Sequence, residues 1–72
     1  MMLKYSVRAY PVNYINDFPV VEKEIVVKKV SPYTIIEDFY GRRVTYVRKM
    51  SDGYIATSGY VNFRIEATKI KD

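Results

Sequence analysis

The residues Tyr40, Arg42, Arg43, Tyr46, Arg48 and Lys49 form the one constellation in this chain whose types and spacing suit recognition chemistry. An aromatic ring between guanidinium groups offers a face on which a nucleobase can stack, together with cations that hold phosphates, as on sheet surfaces that grip single strands. The segment from Arg42 to Lys49 holds four cations and no acid. Run as one strand, it places Arg42, Val44, Tyr46 and Arg48 on one face and Arg43, Thr45, Val47 and Lys49 on the other. Arg64, with Lys28 or Lys29, is expected to extend this basic surface. A plainer reading stands beside it: Val44 and Tyr46 belong to the core, the arginines lay their stems along its rim, and the charge serves solubility.

The plainer reading is slightly favoured for these residues taken alone, and the charge distribution adds a hint of a polyanionic partner. Across the 72 residues, 12 Lys and Arg face 8 Asp and Glu, a net charge of +4. From Met1 to Gly41 five basic residues balance five acidic ones, whereas from Arg42 onward seven basic residues meet three acids. All of the excess therefore lies in the last part of the chain, where it would attract a polyanion or an acidic protein surface.

Catalysis has little to build on. With no histidine and no cysteine, the commonest acid-base group, the thiol nucleophile and the usual zinc ligands are missing. Glu37 and Asp38, as neighbours on a strand, would point to opposite faces and could not flank one bond. Glu22 and Glu24 share a face but sit near Lys23, Lys28 and Lys29, where cross-strand charge pairing accounts for them. The eight tyrosines could form a covalent phosphotyrosine only with a metal or general-acid cluster, and none is in view. Tyr5 is expected in the core and Tyr10, Tyr33 and Tyr40 at the periphery. The three glycines are too dispersed for a phosphate loop. No enzyme activity, cofactor, metal or small-molecule substrate is expected.

The elements that position these residues read mostly as strands. Leu3, Tyr5, Val7 and Ala9 alternate with Lys4, Ser6 and Arg8, and Val61, Phe63, Ile65 and Ala67 alternate with Asn62, Arg64, Glu66 and Thr68, as half-buried strands require. Pro11 to Pro19 reads as a long loop that packs back through Tyr14, Ile15 and Phe18. Glu22 to Val30 is β-branched and charged, and Ser31-Pro32-Tyr33 breaks it. Two readings compete for the next segment. Ser31, Pro32 and Gly41 could delimit a short helix over 32–40, but Thr34-Ile35-Ile36 is β-branched, and Phe39 to Arg42 makes a plausible hairpin turn. The strand is favoured here. Ser51-Asp52-Gly53 signals a further hairpin, with Gly53 expected to accept a positive φ, and Gly59 is expected to mark a bulge or bend within a strand-like run from Tyr54 to Ile70.

The fold expected is a single all-β domain over 1–72, a small five-stranded barrel or strongly bent antiparallel sheet, with α+β and one short helix near 32–40 as the alternative. Glu24 to Val30, Ser31-Pro32-Tyr33, Thr34 to Asp38, the basic strand Gly41 to Lys49 and the Asp52-Gly53 turn resemble the small SH3-like β-barrel proteins of phages and mobile elements. In that pattern a hairpin of the form V-x-K-V-S/T-x-x-x-I precedes a glycine turn and an Arg/Lys-rich strand. The resemblance covers about half the chain; it implies barrel topology and leaves the ligand open, since such barrels bind nucleic acid or protein. The expected partner is nucleic acid. The alternative is a protein, or a second copy in a homodimer, met through an exposed strand edge. No apolar run approaches the roughly 20 residues needed to span a bilayer, and the N-terminus lacks a signal-peptide pattern, so the chain is expected to remain cytoplasmic and to act away from membranes.

Overall fold

A computed structural model describes residues 1–70. Five strands and one helix follow in the order β1 (Leu3–Pro11), β2 (Val21–Val27), α1 (Pro32–Tyr40), β3 (Tyr46–Met50), β4 (Gly53–Ser58) and β5 (Val61–Lys69). The strands form one antiparallel sheet in the order β2-β1-β5-β4-β3. The first and last strands are central neighbours, aligned from Tyr5 opposite Lys69 to Pro11 opposite Phe63. Consequently β2 and β3 are the open edges, and among the described residues no strand joins them.

Alternation assigns the faces. Val7, Ala9, Ala56, Val61, Phe63 and Ile65 point inward and are buried, and they meet Ile35 and Ile36 of α1 with Val30 and Val44 of its flanking connections. Each large apolar side chain so removed from water contributes about 1.5–3 kcal/mol. Phe63, fully buried, is enclosed by Tyr40, stacked at 4.5 Å between ring centroids, and by Phe18, edge-on at 5.3 Å. Phe18 thereby anchors the loop after β1, whereas Tyr14 and Ile15 of the same loop stay exposed. Asn13 secures that loop to the β4–β5 turn by donating to the Tyr60 carbonyl and accepting from the Asn62 amide.

Residues 32–40 form a helix, which corrects the favoured strand. Pro32, Ile35, Ile36, Phe39 and Tyr40 recur at the i, i+3, i+4, i+7, i+8 spacing of one helical face, and that face supplies the inward-packing residues of α1. Ser31 caps the helix by accepting from the Thr34 amide, Pro32 occupies the first turn, and Gly41 ends it with φ 65°, its N–H donating to the Glu37 carbonyl at 2.8 Å. Burial of a continuous helical stripe outweighs the modest β preference of Thr34-Ile35-Ile36.

The basic strand is shorter than expected. Arg42 to Thr45 are irregular and β3 begins only at Tyr46, so the expected sharing of a face by Val44 and Tyr46 fails: Val44 is buried and Tyr46 is 61% exposed. Gly59 is likewise not a bulge but lies in the short Gly59-Tyr60 turn between two separate strands. Gly53 opens β4 without a positive φ; a side chain there would overlap the Ile65 carbonyl oxygen, so close backbone approach explains this glycine. No helix among the described residues is long and apolar enough to cross a membrane.

Candidate nucleic-acid interface

The fold divides the seven residues singled out from the sequence into two groups. Tyr40 ends α1 inside the aromatic cluster, where its hydroxyl donates a shared hydrogen bond to the carbonyls of Ala9 at 3.0 Å and Pro19 at 2.6 Å. Burial raises its pKa above the ordinary tyrosine value. It is therefore a packing residue, not the peripheral ring expected. Arg42 is also engaged internally: Nε donates to the Ser58 hydroxyl at 3.1 Å, and the guanidinium lies 5.3 Å from the Phe18 ring centre. Ser58, buried in turn, donates to the Arg43 carbonyl at 2.7 Å, so the irregular segment before β3 is tied to the end of β4. Arg64 projects from the outer face of β5 but bends to Asp52 in the β3–β4 turn and to the Tyr54 carbonyl. These three are structural.

Arg43, Tyr46, Arg48 and Lys49 remain exposed. Tyr46 and Arg48 stand on the outer face of the edge strand, while Lys49, one residue on, stands on the inner face beside half-buried Val47. Arg43 precedes the strand on the surface. None of their cations has a carboxylate within ion-pair distance among the described residues, nor do Lys28 and Lys29. The other half of the sheet differs. Lys4 meets Glu24 at 3.6 Å, and Arg8 meets Glu22 at 3.1 Å and Glu66 at 3.7 Å. Cross-strand pairing thus accounts for Glu22 and Glu24, but with Lys4 and Arg8 of β1 rather than Lys23, Lys28 or Lys29, and it neutralises the outer face of β1 and β2. Most of the positive charge without an acidic partner among the described residues thus lies around the β3 edge, the segment before it and the β2–α1 connection, with Lys23 on β2 and Lys69 on β5 unpaired as well.

Beside that edge the surface is concave. Lys29, Val30, Lys49 and Tyr54 line two adjoining hollows, one of about 300 Å³ extending toward Tyr5 and one of about 540 Å³ extending toward Tyr33. Register explains part of this arrangement, because Lys49 pairs directly with Tyr54 across the β3–β4 hairpin. The Ser51-Asp52-Gly53 signal could have yielded that pairing from sequence. The approach of Lys29 and Tyr33 could not have been found that way, since it depends on how the β2–α1 connection crosses the open end of the sheet. No group of three or more Asp and Glu side chains converges among the described residues.

No protein-family model, curated protein or solved structure matches this chain.

Proposed function

We propose that this protein is a small non-enzymatic binding module that contacts nucleic acid through the β3 edge with weak sequence preference. The observation that carries this reading is the group Arg43, Tyr46, Arg48 and Lys49: exposed, cationic or aromatic, and without acidic partners among the described residues, on a molecule whose outer face across β1 and β2 is ion-paired. An edge strand with charge on both faces can follow a phosphate backbone, and Tyr46 supplies a stacking surface. The SH3-like resemblance belongs to this proposal; the strand number and the short helix support it, whereas the β2 and β3 edges, unpaired among the described residues, leave the sheet open rather than closed into a barrel. Action in a reducing compartment such as the cytoplasm belongs to the proposal as well, supported by the absence of cysteine.

The test is an anisotropy titration with a labelled single-stranded oligonucleotide across salt concentrations. Phosphate contacts from Lys29, Arg43, Arg48 and Lys49 would give a log–log salt slope of about −3, that is, about 10³-fold weaker binding per tenfold increase in salt. Absence of binding at low ionic strength, or an affinity that salt does not alter, overturns the reading.

A second reading, a protein-interaction module, is favoured by the end of the sheet at the β4–β5 turn, where Val12 lies in the same cross-strand row as Tyr46. Val12, Tyr14, Ile15 and Tyr60 are exposed there, with the Tyr14 and Tyr60 rings 5.5 Å apart and Tyr14 held at φ 53°. Together with the open β2 edge, this surface suits a protein or a second copy of the chain. Light scattering over a range of concentrations checks self-association: growth in size supports it, and a strict monomer removes the homodimer.

A further inference from the structure

The cleft beside β3 has a ligand chemistry of its own. We propose that it seats one unpaired nucleotide, with the phosphate between Lys29 and Lys49 and the base against the tyrosine rings, so that the ligand is single-stranded rather than duplex; this rests on the nucleic-acid reading of the β3 edge.

Lys29, from the β2–α1 connection, and Lys49, from β3, line both hollows together with Tyr54. Two ammonium groups without an acidic partner among the described residues form a site for a compact anion, and phosphate suits lysine as a point charge. The one carboxylate on the lining is Asp52, and Arg64 engages it. A simple carboxylate would use these ammoniums and leave the rings unused. Tyr33, 54% exposed at the start of α1, and half-buried Tyr5 and Tyr54 add flat apolar surface that a nucleobase can cover.

Size and continuity point the same way. Hollows of about 300 and 540 Å³ lie within the range of small-ligand pockets and suit one nucleotide rather than several. A duplex keeps its base faces stacked inside, whereas an unpaired base can turn outward into a concavity. Lys49 belongs both to this cleft and to the β3 edge, and Arg48 stands on the other face of the same strand. A single strand can therefore pass over the open edge from the outer face, near Tyr46, into the cleft.

The experiment titrates the full chain, at low salt, with a labelled 12-nucleotide single strand and a 12-base-pair duplex of the same sequence. Lys29→Ala and Tyr33→Ala probe the cleft, Arg48→Ala probes the outer side, and far-UV circular dichroism checks that each variant folds. The single strand should bind about tenfold tighter than the duplex, and Tyr33→Ala should lose about tenfold on the single strand alone. Lys29→Ala should weaken the single strand several-fold more than the duplex. Equal affinity for both forms, or indifference to Tyr33→Ala, overturns the cleft proposal; the β3 reading then stands if Arg48→Ala weakens both ligands. No binding of either form removes both proposals. Displacement of the oligonucleotide by polyglutamate as effectively as by unlabelled single strand, with no sensitivity to Tyr33→Ala, assigns the cleft to carboxylates and overturns the nucleotide.

Discussion

At the scale of single residues, side chains of one chemical type do opposite work according to their partners. Arg42 and Arg48 lie six positions apart, yet the first is held by Ser58 and Phe18 while the second projects from the edge strand. Arg42→Ala should therefore lower stability by about 1–2 kcal/mol, by removing the donor to the buried Ser58 hydroxyl and the cation over Phe18, with oligonucleotide affinity nearly unchanged. Arg48→Ala should do the reverse, leaving the urea midpoint in place and reducing the salt slope by nearly one phosphate contact. Parallel urea and anisotropy titrations of the two variants check this separation. Tyr40 carries a pH signature as well. Its raised pKa means that the unfolded chain ionises near pH 10 while the folded phenol stays neutral, so its contribution is complete below about pH 10 and declines as pH rises toward the folded value. Tyr40→Phe should cost about 1–3 kcal/mol at pH 7 by leaving the Ala9 and Pro19 carbonyls without their donor. Urea unfolding at pH 7 and pH 11 should show that penalty shrinking in alkali.

At the scale of elements, glycines and caps decide where each segment stops. Gly53→Ala drives a carbon into the Ile65 carbonyl oxygen, a backbone clash that can be relieved only by separating β4 from β5. Gly41→Ala meets nothing within 4 Å and carries only the left-handed strain of φ 65°, costing about 1 kcal/mol. Thermal unfolding should rank Gly53→Ala well below Gly41→Ala, and Ser31→Ala should also lose about 1 kcal/mol through the helix cap. Equal losses at the two glycines would mean that the β4–β5 pairing yields easily. The terminal strands were legible because one polar and one apolar face suffice to reveal a half-buried strand. The helix was legible in its 32, 35, 36, 39, 40 spacing and its caps, but local β-branching obscured it. The irregular run before β3 carried no local sign, because its shape follows from Arg42 reaching Ser58, 16 residues away.

At the scale of the whole molecule, the ion pairs across β1, β2 and β5 are set apart from the cations of the β3 edge, unpaired among the described residues, on which the proposed binding rests. The ion pairs across β1, β2 and β5 are largely exposed, and each such pair contributes about 1 kcal/mol or less. Raising salt from 50 to 500 mM should accordingly move the urea midpoint only slightly while weakening oligonucleotide binding about 10³-fold. A fall in stability as steep as the fall in affinity would show the two sets of charges to be one. By itself the sequence determined a small, mostly β chain, its alternating terminal strands, the β3–β4 turn and the confinement of excess charge after Gly41, because alternation, turn chemistry and charge counts are local properties. Only the tertiary structure decided which of the seven candidate residues are free. Tyr40, Arg42 and Arg64 found partners 31, 16 and 12 positions away in the chain, whereas Lys29, Tyr33, Lys49 and Tyr54 were drawn around one cleft. Whether a cation faces solvent or a partner depends on such long-range approaches, which the order of residues along the chain does not display.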